Sequence, residues 1–305
     1  MVENIISVIA VERRLYWIDE IVKLSGHFGT DSSRVEAELV DEIKASGSAA
    51  LLDHLRLCSA IPESYGHDSS EEKLYSKYTD ALLASAYRFL GLKSIVLTER
   101  ADAADVEAFS EDYSFVADAK VFRLSRTAKN QKDFKVQAMD GWKRGKPYAM
   151  VVCPLYQLPS TSSQIYEQAS TRSVCIFSYS HLAVLVQLVD EIGHDGVKAI
   201  LHAVFKSVEA LNPSKDAIPY WRAVNSVLLG SGGIVGEVWK REKLATIEGI
   251  KISKDIALGY LAKEREKIIK LSHEEAIKHL LDMHKLDSRV AQIKGVRENT
   301  LMNLS

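Results

Sequence analysis

No stretch of about 18 apolar residues occurs in the sequence, which excludes a helical membrane span. The first twenty residues carry Glu3 and further charges at 12 to 14. No basic segment precedes an unbroken apolar run there, so no secretory signal is expected. Cysteine is scarce: Cys58, Cys153 and Cys175 have no CxxC spacing, and an odd number in apolar surroundings reads as buried, reduced thiols of a cytoplasmic protein. Internal repeats and low-complexity tracts are missing. The glycines of LLGSGGIVGEVW fit neither GxGxxG nor GxxxxGK[ST] and follow a helical run, so they read as a helix break. In HEEAIKH the histidines stand six apart, about 240° round a helix, which excludes a shared metal. His273 and His279 therefore read as surface residues, and His181 and His202 as structural ones.

What is present is an ordinary soluble composition, 47% hydrophobic and 26% charged, with an uneven distribution of charge. The net charge is −2, yet residues 120–146 hold nine Lys or Arg against Asp133 and Asp140. Six of the cations, Lys120, Arg123, Arg126, Lys129, Lys132 and Lys135, come at three-residue intervals. That spacing drifts round a helix and suits an irregular or extended path along a polyanion, for which nucleic-acid phosphates are the best fit. Within the run, Asn130, Gln131 and Asp133 are side chains able to read bases. A solvated loop is the alternative.

Apolar periodicity predicts helices over most of residues 1–60, over EEKLYSKYTDALLASAYRFLG with Gly91 past its end, and through most of the chain beyond 200. Ser272 and Glu275 fit a capping box. KSIVL, YSFVADAKVF, YAMVVCPLYQL and SVCIFSY read as strands, and the last two are apolar enough for a sheet covered on both faces. Ser180 is the expected N-cap of HLAVLVQLVDEIG. The expectation is a small central sheet with helices before and after it, forming one domain.

Period two along SFVADAKVF turns Asp118 and Lys120 to the same face. The pattern [DE]xK also occurs at Glu42/Lys44, Glu71/Lys73 and Asp133/Lys135, but the first two lie on amphipathic helical patterns expected to be solvated faces. Only Asp118/Lys120 lies on a convincing strand. Upstream, LTERADAADVEAF supplies Glu99, Asp102, Asp105 and Glu107. One of these acids with Asp118 would give a divalent cation the hard oxygen donors it needs, with Lys120 beside the attacking water. The alternative is an acidic helix start favoured by the macrodipole.

VADAK followed by FRLSRTAKNQKDFKV closely resembles the HindIII-type restriction endonucleases, which belong to the PD-(D/E)xK nucleases. The likeness runs over roughly 70–295, through EKLYSKYTDALLASAYRFLGL, SQIYEQ, FSYSHLAVLVQL and HEEAIKHLL, and is faint in the first sixty residues and around 200–260. It implies a mixed α/β, restriction-endonuclease-like central sheet flanked by many helices. It gives residues 1–68 as a helical N-terminal region, 69–200 as the catalytic core and 201–305 as a helical C-terminal region. It further implies Mg2+-dependent cleavage of double-stranded DNA by a homodimer at a palindrome, AAGCTT cut after the first A. In this sequence Asp105 would be the first acid, Asp118 and Lys120 the remainder of the motif, and Glu99 a further acid. The metal would lie at Asp105, Asp118 and Ala119. DNA would be met by Arg123, Arg126, Lys129, Asn130, Lys132, Asp133 and Lys135. A host encoding such an enzyme would need a cognate DNA methyltransferase. Ala104 stands where the motif has proline, which leaves Asp102 and Glu107 as alternatives to Asp105. A catalytically silent DNA-binding protein and a nuclease with another target are the competing readings.

Overall fold

The computed structural model describes residues 4–97, 103–126 and 131–295, with only the backbone of Gln131 and Lys132. Two helices open the chain, α1 (Val8–Ile21) and α2 (Phe28–Leu57), the latter kinked at Gly47, where φ is 64°. A two-residue strand β1 (Ala60–Ile61) leads to α3 (Ser70–Phe89), capped by the Ser69 side chain. Gly91 follows at φ +90°, and a Cβ there would lie 2.8 Å from that of His194, so both the turn and the close approach require glycine.

The sheet is then laid down by β2 (Lys93–Val96), β3 (Val106–Phe109) and β4 (Ser114–Ala119) as an antiparallel meander. After β5 (Phe122–Arg123), which pairs in parallel with β1, come α4 (Gln131–Phe134) and α5 (Val136–Trp142). The strand β6 (Tyr148–Cys153), a short 3-10 turn at Leu155–Gln157, α6 (Gln164–Thr171) and β7 (Val174–Ser178) complete the core. The order is β2-β3-β4-β6-β7, with β4, β6 and β7 parallel. Every residue of β6 and β7 is buried, as is all of β4 after Ser114, so the sheet is covered on both faces. The helices α3 and α5 pack on β4, and α7 (Tyr179–Glu209) packs on β6 and β7.

Helices α8 (Ala217–Leu229) and α9 (Val235–Ile269) follow, separated by Gly230–Gly233, the expected helix break. One compact unit ends at Ala257. The second starts at Leu258 and holds the end of α9, α10 (His273–Met283) with its Ser272/Glu275 capping box, and α11 (Leu286–Gly295). No helix among the described residues is long and apolar enough to cross a membrane.

The mixed α/β reading with helices around a central sheet is what the chain adopts. Three local expectations differ. The N-cap of α7 is Ser178, whose side chain accepts from the His181 amide, because the helix starts directly from the end of β7. Residues 106–109 form an edge-side strand instead of an acidic helix start. Glu42 does not lie on a solvated face but accepts hydrogen bonds from Arg13, Trp17 and His54. All three cysteines are free and buried, as expected.

Candidate active site

The strand β4 delivers Asp118 and Lys120 at its C-terminal end. The Lys120 backbone is fixed twice: its N–H donates to Val152 at 2.7 Å, and its carbonyl accepts from the Tyr179 hydroxyl at 3.1 Å. Its ammonium lies 2.5 Å from Oδ2 of Asp118. The antiparallel register pairs Val106 with Ala117, so Asp105, one residue before β3, comes opposite Asp118. The two carboxyl groups are within hydrogen-bonding reach of each other. A strand pairing thus joins two acids that are 13 residues apart in sequence.

Their electrostatics separate them. Burial and the neighbouring Asp118 charge push the Asp105 carboxyl up to about 6. Burial also raises Asp118, but the Lys120 ammonium, the hydrogen bond with Asp105 and the Lys135 charge together outweigh it and hold this carboxylate below its ordinary range. Burial lowers Lys120, and Asp118, Asp105 and Asp80 together more than offset it, so the group is held above the usual lysine value. Asp118 is 1% exposed, yet neither of its oxygens has a hydrogen-bond partner of sound geometry among the described residues. An ionised carboxylate in that position is costly unless something else binds it. Hard oxygen donors on two adjoining acids fit a divalent cation, and the backbone of Ala119 lies between Asp118 and Lys120 on the same strand.

Sequence reasoning missed a second acid–lysine couple. From α3, Lys77 and Asp80 face the same cavity of about 530 Å³ that Asp105, Asp118 and Lys120 line. The Lys77 ammonium is 3.0 Å from Asp80 and 3.4 Å from Asp105. Burial and the Asp105 charge raise the Asp80 carboxyl well above its ordinary value. The signal was an aspartate in a helix otherwise apolar nearly all round, at TDALLASAY.

The cavity is also lined by Phe122, Arg126, Asp133 and Lys135. The described part of the basic run is irregular: it passes from strand β5 through a turn to Arg126, and again through the one-turn helix α4 to Lys135 at φ 45°. Most of its described cations already have partners. Arg123 is bound to Glu72 and to the Pro62 and Gly66 carbonyls, and so pins the loop between β1 and α3. Arg126 pairs with Asp133 at 2.6 Å and lies over the Phe122 ring. Lys135 stands exposed over Trp142, which packs on the core. Glu99, Asp102, Lys129 and Asn130 lie outside the described residues, as does the Lys132 side chain. A separate trio of potential metal ligands, His67, Asp68 and Glu72, lies on the surface, with Glu72 held by Arg123. His181 is structural: its ring is buried between Ser178 and Asn225.

Two comparisons with known proteins agree. The profile of the HindIII restriction endonuclease family matches residues 15–297. The chain is 32% identical to the type II restriction enzyme HindIII of Haemophilus influenzae over 302 residues, which cover 97% of this chain and 99% of that one. With Asp105, Asp118 and Lys120 gathered at the C-terminal end of the central strand β4, and with a match across nearly its whole length, the chain belongs to the HindIII restriction endonuclease family.

Proposed function

We propose that this protein is a type II restriction endonuclease that hydrolyses double-stranded DNA at a palindrome in the presence of Mg2+. The observation that carries this reading is the meeting of Asp105, Asp118 and Lys120 in one cavity that Phe122, Arg126, Asp133 and Lys135 also line. Asp105, Asp118 and the Ala119 carbonyl would hold the metal, which when bound supplies Lewis-acid polarisation of the phosphate and neutralises charge. Asp118 is suited to that task because it stays ionised beside the Lys120 ammonium. Lys120 enters as an ammonium, so it donates to the attacking water or a phosphate oxygen. In-line attack breaks the bond to the 3′ oxygen and leaves 5′-phosphate and 3′-hydroxyl ends.

Arg126, Lys129, Asn130, Lys132, Asp133 and Lys135 are proposed to meet the DNA. Among them Asp133 and Asn130 read base edges and the lysines contact phosphates. Arg123 contributes by bracing the segment. The target is AAGCTT, cut after the first A, and a palindrome calls for a two-fold homodimer. Glu99 is proposed as a further acid near the site. The enzyme would act in the cytoplasm of a host protected by a cognate methyltransferase.

Digestion of a plasmid of known sequence, with Mg2+ or with EDTA, followed by mapping of the ends, tests this reading. Discrete Mg2+-dependent fragments ending at AAGCTT are expected. Fragments ending at another sequence would discard the base-reading assignment and keep the nuclease. Binding without cleavage by the folded protein would discard the enzyme.

A further inference from the structure

Asp80 is 3% exposed, and among the described residues its only side-chain partner is Lys77, one turn earlier on the same helix. The couple therefore does not anchor α3 through Asp80. That anchoring is done elsewhere, by Tyr75 donating to the Cys58 carbonyl and Tyr78 meeting His54. Lys77 instead reaches out of α3 to Asp105 at the head of β3. One ammonium is thus held between carboxylates from two elements. The same cavity wall carries the buried Asp118, which is paired with Lys120. Three acids, Asp80, Asp105 and Asp118, thus share this wall with two lysines, Lys77 and Lys120. A buried carboxylate bonded only within its own helix adds little to the fold, and such groups gather where a ligand is to be bound.

From this arrangement we propose that Lys77 stands at a divalent-cation position in the metal-free protein. Asp80 is then a third carboxylate donor, brought into play when the cation displaces the ammonium. The inference rests on the metal-dependent reading above, and it adds a ligand and a built-in competitor that the D-x-K pattern does not contain. It also accounts for the i, i+3 spacing: the lysine must reach its own acid and the neighbouring strand's acid together.

The test uses Tb3+ alone as probe, with the full-length protein and no DNA. Luminescence lifetimes in H2O and D2O count the waters left on the bound ion. Asp80→Asn is expected to add about one water relative to wild type, because one protein oxygen is lost. A mere change of local charge would leave that count alone. Lys77→Met is expected to keep the wild-type count and bind Tb3+ several-fold more tightly. An unchanged water count in folded Asp80→Asn overturns the proposal, as does unchanged or weaker affinity in Lys77→Met. If Asp80→Asn does not fold, the Lys77→Met affinity decides alone. No Tb3+ binding by either wild type or Lys77→Met also overturns it. Plasmid cleavage is scored separately, so Mg2+-dependent cutting with a failed Tb3+ result leaves the nuclease standing and removes only Asp80 and Lys77 from its metal site.

Discussion

Two clusters of buried charge lie on opposite sides of α3, and they are built on opposite rules. In the first, Glu42 accepts from Arg13 at 2.5 Å, from Trp17 at 2.7 Å and from His54 at 3.0 Å, while His54 in turn meets Tyr78 at 2.7 Å. Burial would raise the Glu42 carboxyl, but these hydrogen bonds bring it down to about 2. In the second, Asp118 is more deeply buried and meets the Lys120 ammonium at 2.5 Å, while Asp105 is driven up to about 6 beside it. A satisfied network ties α1, α2 and α3 together. An unsatisfied one, assembled from α3, β3 and β4, holds its acids ready for something else.

The contrast predicts different losses on substitution. The largest effect is expected at Lys120. Lys120→Ala should lower the cleavage rate by roughly 10² to 10³-fold or more, while gel-shift binding of the DNA persists. Loss of binding as well would remove the lysine from its catalytic role. Next comes Glu42→Ala, which leaves Arg13, Trp17 and His54 without their shared acceptor. It should cost roughly 2–4 kcal/mol in urea unfolding, while the specific activity of the folded fraction stays unchanged.

Asp105→Asn should act in the opposite direction on stability. The sign follows from the raised value: the folded carboxyl titrates near 6, whereas an unfolded aspartate titrates near ~3.9. Ionisation therefore destabilises the fold progressively as pH rises from about 4 to about 6, and the full cost remains above that. At pH 8 without metal, Asp105→Asn should gain roughly 1–2 kcal/mol after allowance for its partial exposure, and cleavage should be lost. A loss of stability there would show that the two acids are not in conflict.

The smallest effect concerns a third kind of burial. His181 is satisfied in its neutral form by Ser178 and Asn225, and burial pushes it down to about 4. An unfolded histidine binds its proton near ~6.5, so the stability that this site contributes is intact above that pH. It is lost as pH falls from about 6.5 towards 4. Between pH 7.5 and 5.5 wild type should lose about 1 kcal/mol more than His181→Gln, measured by denaturant midpoints at both pH values. Equal losses would mean that the ring takes up a proton inside the fold.

Much of this was legible in the sequence because it depends on short-range pattern. Alternation along SFVADAK was enough to turn Asp118 and Lys120 to one side, and the apolar runs of β6 and β7 announced a covered sheet. What escaped depends on contacts between distant segments. Lys77 and Asp80 read as one turn of an ordinary helix, since only packing of α3 on the sheet brings them to Asp105. The basic run looked free because its partners Glu72 and Glu107 lie elsewhere in the chain: Glu72 engages Arg123 and Glu107 engages Lys146. Asp105 was named as an acid but placed beside a possible helix, since a strand of four residues leaves little periodic signal.

The register of β4 carries one more consequence. Val106 opposite Ala117 and Asp118 opposite Val151 fix which side chains enter the cavity. A slip of one residue would exchange the two faces of the strand, hiding Asp118 and Lys120 together and offering alanines in their place. A molecule that assembles incorrectly thereby loses Asp118 and Lys120 from the cavity together, with no sloppy intermediate. For an enzyme whose worst error is a break in its own host's chromosome, faulty copies of the protein are harmless copies.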